Sequence, residues 1–217
     1  MALHLIRENA EMEVVLLVST INIEYRRVSM HGLREQLIVE QAASIGLPLH
    51  KMMVLNQPSN SSYEISLRET LRQLKREGIE TVVFGDIFLE DLRAYRESLL
   101  AEEGLKAVFP LWGSNTKDLF QQFLNEGFQT RTCCIDSNLL AENFLNRDLD
   151  ADFLNSLPVG IDPCGENGEY HTFCYNGPIF KEPIAFTDGE RRFVPLHLKS
   201  THSEKPLGFW YVDLIPA

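Results

Sequence analysis

The sequence predicts an α/β protein: a doubly wound, mostly parallel sheet in the first half, followed by a smaller α+β domain. Three observations predict it. Short apolar runs rich in β-branched residues recur from residue 13 to residue 109. Amphipathic helix-length segments separate them, and such alternation means right-handed crossovers onto a parallel sheet. After Gly113 the alternation gives way to closely spaced short strands and short helices. This sets domains at 1–113 and 114–217.

Residues 1–10 read as the tail of a helix, with Leu3, Ile6 and Ala10 at helical spacing. Residues 13–21 (EVVLLVSTI) form a continuous apolar run, as expected of a strand buried on both faces. Residues 32–45 carry Leu33, Leu37, Ile38 and Ala42 on one helical face, and Gly46 and Pro48 stop that helix. A strand follows at 49–55. Next comes a helix at 63–77 with Ile65, Leu67, Leu71 and Leu74 inward, ended by Gly78. Residues 80–84 (ETVVF) are a strand stopping at Gly85-Asp86, and 90–103 a helix ended by Gly104. A short strand at 106–109 and a helix at 116–126 close the alternating part.

In the second part, 128–135 is a strand carrying Cys133 and Cys134. Residues 139–144 and 150–157 read as short helices. Strands are expected at 172–175, 192–198 and 208–214, with a turn at 199–206 between the last two. His197 and His202 are assigned local hydrogen bonding only. Trp210 and Tyr211 lie on a closing strand that can serve as a sheet edge and join a homodimer.

Bulk properties narrow the function. With 217 residues, 44% apolar and 24% charged, the chain can build a substantial core. A net charge of −11 argues against a nucleic-acid surface, which needs clustered Lys and Arg. No apolar run is long enough for a bilayer, and the first residues lack the layout of a secretion signal. Four cysteines in a chain this long are no disulfide framework, and a reducing cytoplasm is the expected setting. The expected partner is a small-molecule or carboxylate substrate, with neither nucleic acid nor membrane involved.

The chemistry concentrates in Asp162-Pro163-Cys164-Gly165-Glu166-Asn167-Gly168-Glu169-Tyr170-His171-Thr172-Phe173. Glycines let a backbone turn tightly and approach a ligand closely. Two of them here frame two carboxylates and precede a histidine. The segment is either a polar hairpin loop with a solvated charge pair or a site for a nucleotide or substrate amine. A metal site from Cys164, His171 and Cys174 has no standard zinc spacing, and no metal is expected. Gly85 and Asp86 fall at the carboxyl end of a strand, where doubly wound sheets bind ligands; a plain turn aspartate is the alternative.

Taken together, several pieces resemble the diphthine–ammonia ligase-like proteins, members of the N-type ATP pyrophosphatases. They are His31-Gly32, Gly85-Asp86-Ile87 with Arg93 and Glu97, Phe109-Pro110-Leu111-Trp112-Gly113, and the segment from Cys164 to Thr172. The resemblance runs from about residue 1 to residue 180. Asn167 and His171 stand where eukaryotic and archaeal members tend to have glycine and glutamate, so this form is similar to a bacterial branch.

The resemblance implies a Rossmann-like nucleotide-binding domain of the PP-loop type, with ATP and magnesium as cofactors. It also implies an ATP-dependent ligase that adenylates a carboxylate and transfers it to ammonia or another amine. Gly85 and Asp86 would then lie near the nucleotide, with Arg93 and Glu97 orienting substrate or forming a surface ion pair. Glu166 and Glu169 would bind the amine or act as general base, with Gly165 and Gly168 shaping the loop. His171 would shuttle a proton or bond a backbone carbonyl. Thr172 would hydrogen-bond substrate or pair within its strand. The alternatives are a non-catalytic adenine-nucleotide-binding module or subunit, and a metal-assisted hydrolase using Cys164, Glu166 and His171.

Family members open with a strand and a Ser-Gly-Gly-Lys-Asp-Ser loop ahead of the helix that here begins at Met1. The sheet is therefore expected to lack its first, central strand, and phosphate binding to be severely weakened. Such a chain would be unstable, aggregation-prone or rescued by a partner strand, or its adjacent edges close over the gap; a start codon placed too late, with that strand and loop encoded directly upstream, is the favoured reading.

Overall fold

A computed structural model describes residues 1–9, 11–55, 60–196 and 207–217. In chain order the elements are α1 (Ala2–Glu8), β1 (Leu17–Asn22), β2 (Arg27–Val28), α2 (Glu35–Ile45), β3 (Leu49–Val54), α3 (Asn60–Arg76), β4 (Thr81–Val83), α4 (Glu90–Glu102) and β5 (Lys106–Val108). There follow α5 (Thr116–Asn125), β6 (Gln129–Asp136), a 3₁₀ turn (Glu142–Phe144), α6 (Ala151–Ser156), β7 (Tyr170–Asn176), β8 (Phe186–Pro195) and β9 (Gly208–Pro216). The chain is a mixed α/β protein with two compact units: Met1–Arg26 with Leu47–Asn115, and Arg27–Gly46 with Thr116–Ala217.

In the first unit, β1 pairs with β3 in parallel, Leu17 opposite Leu49 through Asn22 opposite Val54. Separately, β4 pairs with β5 in parallel, Thr81 opposite Lys106. No ladder joins these two fragments among the described residues. The strand expected at 13–21 starts its ladder only at Leu17, and its burial is a correction. Ile21 is fully buried, but Val15 and Val18 are 45% and 44% exposed. Two separate small parallel ladders cover only part of each strand.

Helix α3 packs Leu71, with Leu67 beside it, against Leu99, Leu100 and Leu105. Ile65, expected inward, is 58% exposed. It lies two residues from Leu67, roughly half a turn off the Leu67-Leu71-Leu74 stripe at 3.6 residues per turn. Arg68 and Arg72 of α3 both reach the Glu103 carboxylate, at 3.2 and 2.8 Å, and tie α3 to the end of α4.

In the second unit a four-stranded antiparallel sheet runs β7-β6-β9-β8. Its core gathers Phe120, Ile135, Phe144, Phe153, Phe173 and Leu214, with Leu33 and Leu37 from the 27–46 segment. The closing strand β9, expected as a candidate edge, lies between β6 and β8; the edges are β7 and β8. The segment after residue 139 forms only the short 3₁₀ turn, and β8 begins at Phe186 rather than 192. The expected turn at 199–206, with His197 and His202, lies outside the described residues.

The helix expected from residue 32 begins at Glu35, because residues 27–34 fold as a strap. Arg27 bridges Arg34 antiparallel, and the Val28 N–H donates to Leu33 O at 2.8 Å. β2 was not foreseen, since two residues carry no periodicity. Gly32 has φ +69°, and a Cβ there would stand 2.6 Å from the Tyr211 ring. Gly32→Ala is expected to destabilise the unit by more than about 1 kcal/mol, read from chemical denaturation; a neutral effect would show that the strap does not depend on this seat.

Candidate functional site

The loop 162–169 is built from its own carboxylates. Asp162 is buried, and its Oδ2 accepts the N–H groups of Cys164 and Glu166, both at 3.0 Å. Glu169 is only 2% exposed and its carboxylate accepts three donors. The Asp162 N–H donates to Oε1 at 3.0 Å, the Asn167 side-chain amide to Oε1 at 2.9 Å, and the Asn167 N–H to Oε2 at 3.0 Å. A buried carboxylate is tolerated when its lone pairs meet donors, and such charge-assisted bonds are the strong ones. The turns at Gly165 and Gly168 close through N–H bonds to Asp162 O and Gly165 O, both at 3.0 Å.

Gly165 (φ +70°) has no room for a Cβ, which would lie 2.9 Å from Tyr170 O. The Tyr170 hydroxyl donates to Pro163 O and locks the loop onto the start of β7. A Cβ at Gly168 would meet nothing within 4 Å, so the backbone there is open to approach. Glu166 keeps a partly exposed side chain at the loop's apex. Thr172, on β7, lies opposite Thr132 of β6.

His171 follows on β7, opposite Cys134 of β6, which in turn lies opposite Tyr211 of β9. The His31 ring lies on that of His171, centroids 4.7 Å apart at 41°. Burial, with His31 adding repulsion, lowers the His171 pKa to about 4, and burial also lowers that of His31. Both imidazoles are therefore neutral at neutral pH. Burial pushes the Cys164 thiol up to about 12 and Cys174 up to about 11. Cys164 Sγ donates to Thr116 O at 3.2 Å. No group of three His, Cys, Asp or Glu able to hold a metal occurs among the described residues.

In the first unit, Asp86 is buried just past β4 and its carboxylate is held by Arg96. The Arg96 guanidinium lies 4.4 Å from the Phe84 ring centre. Arg93 pairs with Glu97 at 2.7 Å and stands over Trp112 and Phe109, at 4.5 and 5.1 Å from their centres. The Gly113 N–H donates to Ile87 O at 2.8 Å. That bond staples the segment after Gly85 to the Trp112 segment. Gly85, Asp86, Arg93 and Glu97 are thus assembled beyond β4 and β5, and Glu166, Glu169, His171, Gly165, Gly168 and Thr172 in the second unit. Sequence reasoning missed Arg96, Asp162 and the contact of His31 with His171. Arg96 had a signal, lying one helical turn from Arg93; His31 stood in the resembling His31-Gly32 piece, but nothing local pairs it with the distant His171.

The fold and these two clusters define a two-unit α/β protein with a buried Asp86–Arg96 pair past β4 in one unit and a Gly-Glu loop built on buried carboxylates in the other. Residues 1–107 match the family model "diphthamide synthase N-terminal domain", and 115–200 match "diphthamide synthase C-terminal domain". The chain belongs to that family. It is 28% identical over 160 residues to the diphthine–ammonia ligases of Bos taurus and of Homo sapiens, covering 64% of this chain and 60% of each relative. To that of Schizosaccharomyces pombe it is 26% identical over 165 residues, 69% of this chain and 27% of that one. The matched part thus spans about 60% of the length of those two mammalian relatives. No helix among the described residues is long and apolar enough to cross a membrane.

Proposed function

We propose that the chain serves ATP-dependent amide formation, activating a carboxylate as its adenylate and passing the acyl group to ammonia or another amine. The observation that carries this reading is that both halves match one family, whose named relatives are diphthine–ammonia ligases. A carboxylate oxygen attacks the α-phosphorus of ATP and pyrophosphate leaves. The amine then attacks the acyl carbon, AMP leaves, and the amine proton passes to a base. The protein's share is orientation and electrostatics.

In this reading the first unit is a doubly wound sheet, Rossmann-like and of the PP-loop type, completed by a parallel strand between β1 and β4. The broken ladder and the exposed Val15 and Val18 support it. Arg93, Trp112 and Phe109 offer a cationic and aromatic face to a purine, with Glu97 holding Arg93 in place. The residues present do not by themselves fit a protein-held magnesium, because the Asp86 carboxylate is engaged by Arg96. Glu166 meets the amine, and neutral His171 accepts its hydrogen bond. Glu169 and Asp162 position the loop, and Thr172 fixes it to β6. The bacterial-branch residues Asn167 and His171, both built into the site, support an acceptor other than diphthine. Four free cysteines are consistent with a reducing cytoplasm.

The Arg93 and Trp112 face also favours a second reading, a non-catalytic module that holds adenosine or AMP. Calorimetry with ATP, AMP and magnesium separates them. ATP binding with pyrophosphate release on adding a carboxylate supports the ligase, AMP binding alone supports the module, and no heat with either nucleotide removes both. In a Trp210→Phe background, Trp112 is the sole tryptophan. Its emission is expected to change on nucleotide addition, and Arg93→Ala to weaken binding about tenfold or more, corresponding to about 1.4 kcal/mol.

A further inference from the structure

The 27–34 strap brings a residue to the Gly-Glu site that no motif places there. It is fixed at both ends. Arg34 reaches Asp213 of β9 through Nε and Nη2 at 3.0 and 2.7 Å. Arg27 reaches the same carboxylate at 2.9 Å and the Gly32 carbonyl at 2.7 Å. The Arg34 bonds first, then those of Arg27, hold the Asp213 carboxyl down at about 2. Gly32 seats on the Tyr211 ring, and the next residue back, His31, lands on His171.

The His31 ring is oriented as well as placed. Its Nδ1 lies 3.1 Å from the Ser29 carbonyl, which can only accept, so Nδ1 carries the hydrogen and Nε2 keeps its lone pair. The sheet neighbours of His171 bring no carboxylate to the pair. Cys134 and Tyr211 are thiol and phenol, both pushed up by burial. Arg27 and Arg34 are committed to Asp213, and Glu35 lies buried in the first turn of α2. Among the described residues no carboxylate hydrogen-bonds either ring.

We propose that His31 is a positioning residue of the site: clamped by the strap, it fixes the His171 imidazole as a neutral acceptor for the N–H of an incoming amine. Two imidazoles in contact cannot both take a proton at small cost, since like charges a few ångströms apart repel. His31 therefore acts on substrate through His171. The inference rests on the amide-forming reading for the identity of its ligand, but not for the pairing itself.

The test is an imidazole NMR titration of the full chain, unaltered and as His31→Asn, which keeps an N–H for Ser29 O and removes the second basic ring. In the unaltered chain the two histidines are expected to titrate as a coupled pair. In His31→Asn, His171 is expected to titrate once, at least half a pH unit higher, about threefold in proton affinity. An unmoved His171 overturns the proposal. If the variant does not fold, two independent single-site curves in the unaltered chain overturn it equally, and coupled curves support it. The amine-dependent rate should lose its acid limb at a correspondingly higher pH in His31→Asn, with KM for the amine changing more than kcat. Coupled titration without amide formation sinks the ligase reading and leaves the pairing standing. Amide formation without coupling sinks the role of His31.

Discussion

Glu169→Ala is expected to destabilise the second unit by about 3–5 kcal/mol, more than any other single change in the Gly-Glu loop. Removing the buried carboxylate leaves three donors facing nothing: the Asp162 N–H, the Asn167 N–H and the Asn167 amide. Each buried unmet donor costs about 1–3 kcal/mol, and a half-removed buried charge network is among the few routes to losses this large. Glu169→Gln should recover only part, because its amide places donors against donors. Glu166→Gln, at a partly exposed position, should stay within about 1 kcal/mol. Denaturant unfolding of the full chain in a Trp112→Phe background, followed by Trp210 emission, measures all three. A Glu169→Ala protein within 1 kcal/mol of the unaltered chain would show that the carboxylate does not build the loop. The same substitutions made in the unaltered chain separate roles: Glu169 variants should lose stability and activity together, and Glu166 variants activity alone.

The second large effect is expected from acid. A histidine whose folded pKa lies below its unfolded value binds protons more weakly when folded, so falling pH favours unfolding. His171 is lowered from 6.5 to about 4, and His31 is lowered too. Their stabilisation is complete above about pH 6.5 and is lost as pH falls toward 4, by the order of 3 kcal/mol for His171 alone. Asp213, lowered to about 2, acts in a separate window: its contribution stands above about pH 3.8 and fades as pH falls toward 2. Unfolding midpoints measured every half unit from pH 7.5 to pH 4 should decline through the first window. His171→Gln should flatten that decline. An undiminished decline in His171→Gln would place the acid sensitivity elsewhere.

Much of this molecule is legible from residue order alone, and what is not has physical causes. The stripe Leu67-Leu71-Leu74 and the apolar strands β3, β4 and β5 carry their period within a few residues, so local reading finds them. The strap is invisible locally: Arg27 and Arg34, 186 and 179 residues from Asp213, become a unit with it only when β9 pairs with β6. The Gly-Glu segment stands out by composition, but composition does not say which carboxylate faces inward. That depends on the Gly165 and Gly168 turns, which wrap the loop's N–H groups around Asp162 and Glu169. Val15 and Val18 read as buried because the local signal reports hydrophobicity, whereas burial needs neighbours on the rest of the layer. The adjacency of His31 and His171 follows only from the clamped strap.

The second unit is not one continuous stretch: it draws residues 27–46 from between the two segments of the first. Leu33 and Leu37 are made well before the strands that bury them, β6 to β9. At about 5–20 residues per second the nascent α2 waits on the order of ten seconds or more with its apolar stripe uncovered. Vectorial synthesis therefore leaves this stripe uncovered until β9 is made, and ribosomes stalled before β9 would display it.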